Sequence, residues 1–232
     1  MNRCHCATWL VSAVLLAGGP AMAQVSPALC GPIVIPGMYG PWDYRTDRAK
    51  LPIIEGAHFT PAVESLLKGS SGKTASADLD YTISHVPNHH RALVSIMRLG
   101  EGLGQRGDRM PLTTECYFER AIRWRHDDVI VRMLYAQFLH KARRADDAQR
   151  QLEVATRLAG ENELTHQNIG LVYLEIGDLD KALAQAWRVR SINPQMQLLQ
   201  SKLEKAGRWR EPAPAAAEPG STAWARLIFF RA

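Results

Sequence analysis

Apolar and small residues recur at helical spacing twice between Asn162 and Pro194, first at Leu164, Ile169, Gly170, Tyr173 and Leu174, then at Leu179, Ala182, Leu183, Ala186 and Val189. Ile176-Gly177-Asp178 separates the two sets and turns the chain, so the stretch predicts two helices joined tightly. Stepping back 34 residues lays a second copy under the first: Ala136 under Gly170, Asp146 under Asp180, Ala148 under Ala182, Ala155 under Val189, with Tyr135 in the place of Ile169. One further step reaches CYFERAIRWRHDD, which carries Phe118, Ala121 and Ile122 on one face. The helix before it is expected in NHHRALVSIMRLGEGL, behind Pro87 and with Asn88 as its N-cap. Pro87, His126, Gly160 and Pro194 end these units at spacings of 39, 34 and 34 residues, and the extra five are assigned to the turn GQRGDRMPLTT.

The flanks are less regular. Asp78 to His85 has the pattern of a second helix without its first, and Met196 to Ala206 places Leu198, Leu199 and Leu203 on one face before Gly207, as expected of a helix closing a stack. Residues 24–77 are expected to form an irregular arm, rich in Gly and Pro towards its start, with apolar strips at Ile33 to Ile35 and Leu51 to Ile54. Thr60-Pro61 opens a short helix near 61–67, the hydroxyl serving as N-cap, and Gly69-Ser70-Ser71-Gly72 ends it. Tyr39, Trp42 and Tyr44 beside Arg45 form either an aromatic cradle for a ligand or the surface by which the arm docks on the helices. The resulting fold class is all-α. A half repeat (78–87), three repeats (88–126, 127–160 and 161–194) and a cap helix (195–207) make up a helical domain 78–207. A Pro/Ala-rich tail, 208–232, follows; its apolar end, Trp224 to Phe230, either docks or stays free.

Gly170 at a close helix contact, Tyr173 three residues on, Ala182 in the second helix and Pro194 at the exit resemble the tetratricopeptide repeat (TPR), although His166 stands where that family usually has Trp. The resemblance implies a solenoid of antiparallel helix pairs whose first helices line a concave groove that binds a peptide segment or partner protein. By repeat position the groove residues are Arg91, Val94, Arg98, Met133, Gln137, His140, Lys141, Leu164, Gln167, Leu171 and Leu174, with Ile130 and Glu175 beside them. The clamp by which TPR co-chaperones hold C-terminal carboxylates resembles Lys and Asn at places occupied here by Val94, Arg98, Leu134 and Leu164, with Asn168 nearest to a fit, so that subtype is not implied. The motifs GAHFTPAVESL, DLDYT and PNHHRAL are similar to those of exported bacterial TPR proteins, a resemblance that carries no activity.

Composition adds a compartment and removes some partners. With 232 residues, 46% of them hydrophobic and 22% charged, the chain can bury a sizeable core. The net charge of +5 is spread along the helices without a Lys/Arg cluster that would track phosphates, so nucleic acid is not an expected partner. Residues 1–23 are expected to be a signal peptide: Arg3 begins it, Trp9 to Leu16 is its apolar run, and Ala21-Met22-Ala23 precedes a cut at Gln24. Gly18, Gly19 and Pro20 break that run short of the roughly 20 apolar residues of a membrane span, so no integral span is expected after cleavage. The protein is therefore expected in the periplasm or secreted from a bacterium. There Cys30 and Cys116, the two cysteines left, are expected either to form one disulfide or to leave a buried free Cys116 and a flexible Cys30.

Candidate chemistry is sparse. His85, His89 and His90 fall within six residues, which makes a metal or small-ligand site, built with the arm, the alternative function. Pro87 between them favours separate local roles. Gly72-Lys73-Thr74 lacks the first glycine of a phosphate loop, since Leu67 stands at that distance. No nucleophile elbow, dinucleotide pattern or zinc-protease helix is present, so neither an enzyme nor a cofactor is expected. The expected function is an exported scaffold that binds a peptide segment or partner protein in its groove, in the assembly or maintenance of an envelope complex.

Overall fold

The computed structural model describes residues 27–70 and 73–212, and these are all-helical, with no strand among the described residues. The expected signal peptide and the end of the tail lie outside the described residues. Ten α-helices follow in order: α1 (Leu51–His58), α2 (Pro61–Glu64), α3 (Ala75–His85), α4 (His90–Gly100), α5 (Thr114–Trp124), α6 (Val129–Lys141), α7 (Ala145–Leu158), α8 (Glu163–Glu175), α9 (Leu179–Ile192) and α10 (Leu198–Lys205). None is long and apolar enough to cross a membrane.

Helices α6 and α7 begin and end 34 residues before α8 and α9, the same interval as the sequence pattern. Each pair is joined by three residues, Ala142–Arg144 or Ile176–Asp178, and its two helices contact along their lengths, so each pair is an antiparallel hairpin. Both turns need one left-handed residue. Gly177 (φ +86°) adopts that conformation without penalty, whereas Arg143 (φ +62°) fills the matching place in the earlier turn with a side chain. The helix starts are capped by polar side chains: Thr74, Thr113, Asp128, Asn162 and Asp178 each accept from a backbone N–H two or three residues on.

Small residues set how closely the helices approach. Ala136, Ala148, Ala155 and Ala182 are fully buried. A Cβ on Gly170 would stand 2.1 Å from Leu199 Cδ2 and 3.0 Å from Gln185 Cβ, so the glycine lets α9 and α10 pack directly onto α8. One continuous core then runs from Phe59 and Val63 through Leu93, Ile96, Phe118 and Tyr135 to Leu199 and Leu203. Helix α10 covers the last hairpin with Leu199 and Leu203, while Leu198, expected on that face, is half exposed. Gly207 (φ +65°) follows it.

The amino-terminal stretch is more ordered than its composition implies. Leu51–His58 is a helix, with Pro52 in its first turn and Leu51 and Ile54 buried one turn apart, inside the stretch expected to be irregular. The next helix is shorter than expected, Pro61–Glu64 instead of 61–67: Leu66 turns left-handed (φ +62°) to bury its side chain, and the Thr60 hydroxyl makes no cap bond. Helix α3 starts three residues before the expected half repeat, at the point where Thr74 caps it. Before α1 the chain is irregular apart from two 3-10 turns, Pro27–Cys30 and Arg48–Lys50, and Cys30 at the end of the first pairs with Cys116 at disulfide distance, Cα to Cα 5.0 Å, both buried.

Candidate functional site

Helices α4, α6 and α8 pack against one another in series, so the outward side of each contributes to one surface. Polar side chains bridge it from helix to helix. Lys141 Nζ at the end of α6 donates to Glu101 Oε1 just past α4 at 2.7 Å, and Gln137 Nε2 on α6 donates to Glu175 Oε2 on α8 at 2.6 Å. Arg91, Val94 and Arg98 are exposed along α4, Lys141 on α6 and Leu164 on α8. Arg91 grips Glu64 through both nitrogens, and that bond holds the Glu64 carboxyl below its ordinary range and the Arg91 guanidinium above its own. The face is thus cationic over α4, with Arg98 beside Glu64, and apolar over α8, where half-buried Leu171 and Leu174 join Leu164.

Gln137 and His140 are half-buried on the same helix as Lys141. Met133 and Gln167 depart from expectation: they are 6% and 7% exposed and belong to the interior. Helix α6 is contacted by α4, α5, α7 and α8, and α8 by α6, α7, α9 and α10, so each buries more of its circumference than a two-helix unit would suggest. Met133 is spent on packing, and the Gln167 Oε1 is buried without a hydrogen-bond partner among the described residues.

The histidines near 85–90 do not converge. His85 Nδ1 donates to the Tyr81 carbonyl at 2.8 Å, and its ring stacks on Tyr81. His89 caps α4, its Nδ1 accepting from Ala92 N at 3.1 Å, which leaves Nε2–H to donate to Glu55 Oε1 at 3.0 Å. Burial, with Arg91 and His90 nearby, pulls its pKa down to about 3, so the contact with Glu55 is a hydrogen bond from a neutral imidazole to a carboxylate and not an ion pair. His90 Nε2 lies 2.9 Å from Asp128 Oδ2. Each imidazole therefore serves a different neighbour, and among the described residues no group of three His, Cys, Asp or Glu side chains is arranged to hold a metal. The alternative ligand set His85, His89 and His90 is not assembled.

Around them lies a polar junction that the sequence does not announce. Asn88, expected as an N-cap, is instead fully buried between three segments. Its Oδ1 accepts from Tyr44 N at 3.0 Å, and its Nδ2 donates to Asp43 Oδ1 and Asp128 Oδ2, both at 2.8 Å. Arg45 and Arg125 close on the other side of Asp43 at 2.8 and 2.7 Å, and Arg45 reaches on to Asp127 at 3.0 Å. Burial alone would raise the Asp43 carboxyl, but the bonds from Arg45, Asn88 and Arg125 outweigh it and hold the group well below the usual carboxylate range. Asp128 is likewise buried, which opposes ionisation, and His90 and Asn88 keep it low while it caps α6. Tyr44 is wedged between His89 and His90, ring centroids 4.3 and 4.8 Å away. Of the two uses weighed for the aromatic cluster, docking is therefore the one Trp42 and Tyr44 serve, since both pack with Leu51 and Val86, while Tyr39 points to solvent at 82% exposure. No protein-family model, curated protein or solved structure matches the chain.

Proposed function

We propose that the chain is an exported scaffold of TPR type that holds a partner protein or peptide on the face made by α4, α6 and α8. The observation that carries this reading is the continuity of that face, bridged by Lys141–Glu101 and Gln137–Glu175, with cations over α4 and, over α8, exposed Leu164 beside half-buried Leu171 and Leu174. The 34-residue interval between the two hairpins and the close contact at Gly170 support the repeat assignment. Pairing of Cys30 with Cys116 suits an oxidising compartment and so supports export to the periplasm or beyond. An exposed apolar strip with flanking charge fits an extended or helical peptide.

The test uses positions whose change leaves the core intact. Val94 and Leu164 are 38% and 54% exposed, so Val94→Glu with Leu164→Glu alters the face without opening a cavity. Crosslinking in intact cells is expected to capture a protein with the wild-type chain and to lose it with the double variant. Capture that ignores the two substitutions would overturn the assignment of this face.

A further inference from the structure

After α10 the chain turns back along α9. Trp209 packs against the core with the Arg190 guanidinium over its ring, Trp187 Nε1 donates to the Arg210 carbonyl at 2.8 Å, and Arg190 holds the Glu211 carboxylate through both terminal nitrogens. Glu211 is thereby fixed beside the last turn of α9. Short connections reverse the chain from α6 through to α10, so the end of α9 and the starts of α6, α8 and α10 lie at one end of the stack. The tail therefore leaves the body at the end where these first helices begin.

At that end an apolar position recurs: Ile130, Leu164 and Leu198 stand 34 residues apart. Ile130 is half-buried, while Leu164 and Leu198 are 54% and 50% exposed. A helix that only closed the stack would turn a polar outer face to water. Leu198 instead carries the apolar strip of α8 onto α10, which packs against it. The strip is also bounded by charge. Helix α8 bears Glu163 at its start and Glu175 at its end, with no lysine or arginine between them. Neither glutamate is ion-paired among the described residues.

The apolar end of the tail has the complementary pattern. Leu227-Ile228-Phe229-Phe230 stands between Arg226 and Arg231, and no acid occurs from Trp224 onwards. Extended backbone would set the two arginines about 17 Å apart, and the helix rise sets Glu163 and Glu175 about 18 Å apart along α8. Residues 212–223 reach up to about 40 Å, whereas packed helices are separated by only about 8–10 Å. The cations over α4 leave the α8 side as the favourable one for a basic segment.

We infer that the tail segment Arg226–Arg231 docks along α8, Arg226 at Glu163 and Arg231 at Glu175, its apolar side chains on Leu164, Leu171, Leu174 and Leu198. The chain thus occupies part of its own partner surface, an inference that rests on the reading of that face as a peptide-binding one.

The test is photocrosslinking in the full chain with p-benzoylphenylalanine in place of Phe229, read by mass spectrometry on an equal mixture of isotopically light and heavy protein. Crosslinks are expected within one copy, to α8 and the start of α10. Arg226→Glu with Arg231→Glu touches none of the ten helices and is expected to lower that yield by about fivefold, the scale of two exposed ion pairs turned into like charges. Adding Glu163→Arg and Glu175→Arg is expected to restore it. Crosslinks to other surfaces, crosslinks chiefly between light and heavy copies, or none to the body would overturn the inference. A yield at α8 that ignores the tail's charge reversal would do the same, and that variant decides even if the quadruple one fails to fold. The two readings fail separately. Partner capture lost with Val94→Glu and Leu164→Glu, while the tail crosslinks elsewhere, sinks the docking alone; a tail crosslinked to α8, with capture indifferent to those substitutions, sinks the partner reading alone.

Discussion

Asn88→Ala tests whether the buried amide holds the arm to the body. The substitution leaves Tyr44 N–H without its acceptor in a site closed to water, and it takes a donor from both Asp43 and Asp128. An unpaired buried N–H costs about 1–3 kcal/mol and a hydrogen bond to a charged group contributes about 1.5–3 kcal/mol. Asp43 keeps Arg45 and Arg125, and Asp128 keeps His90 and the α6 amides, so these losses are only partly felt. The expected destabilisation is about 3–5 kcal/mol, read from urea unfolding midpoints at constant slope. Asn88→Asp has nearly the same shape and the opposite chemistry: it cannot donate when ionised and sets a third carboxylate between two others. It is expected to cost more than Asn88→Ala near neutral pH, and the gap should narrow in acid, since burial and like charges raise the new group's pKa until it protonates and regains a donor. A loss below about 1 kcal/mol for Asn88→Ala, or no difference between the two variants near neutral pH, would refute the junction as described.

Three further outcomes follow from the same structure. His89 is held down to about 3 against an ordinary value near 6.5, so folding favours its neutral form; the unfolded chain binds more protons between those values, and the stability it contributes is complete above about pH 6.5 and falls as pH drops towards 3. His89→Asn, which keeps a capping side chain, should flatten the fall in urea midpoint between about pH 6.5 and 5, above the carboxylate range, and an unchanged slope would contradict the neutral-cap assignment. Replacing both Cys30 and Cys116 by Ser opens a loop spanning a sequence separation of 86 residues and should lower stability by about 4.5 kcal/mol on the chain-entropy account; a melting temperature equal to that of wild type would show that the polar junction alone anchors the arm. Arg143 is exposed at φ +62°, so Arg143→Gly should raise the unfolding free energy, read from the urea midpoint at constant slope, by up to about 1 kcal/mol, the left-handed penalty less glycine's larger unfolded-state entropy; a midpoint at or below that of wild type would contradict the strain.

What the sequence made legible divides by distance along the chain. The hairpins α6–α7 and α8–α9 were readable to the register, because a helix pair writes its contacts into a local period and the same period returns 34 residues later. The exposure of the first-helix face was readable only in part: Val94, Leu164 and Lys141 are exposed, whereas Met133 and Gln167 disappear under helices whose arrival no local pattern records. The junction of arm and body was hidden altogether. It joins Asp43 to Asn88, Asp43 to Arg125 and Asn88 to Asp128 across 45, 82 and 40 residues, as lone pairs with no period. Asn88 shows the ambiguity most plainly, since an asparagine before a helical run is by local rules a cap. The cap passes to His89 because Glu55, 34 residues earlier, accepts a hydrogen bond from Nε2–H and so leaves Nδ1 as an acceptor for Ala92 N. Asn88 is thereby available to bind both Asp43 and Asp128, so the side chain that settles the start of α4 and the one that secures the arm are chosen by a single distant carboxylate.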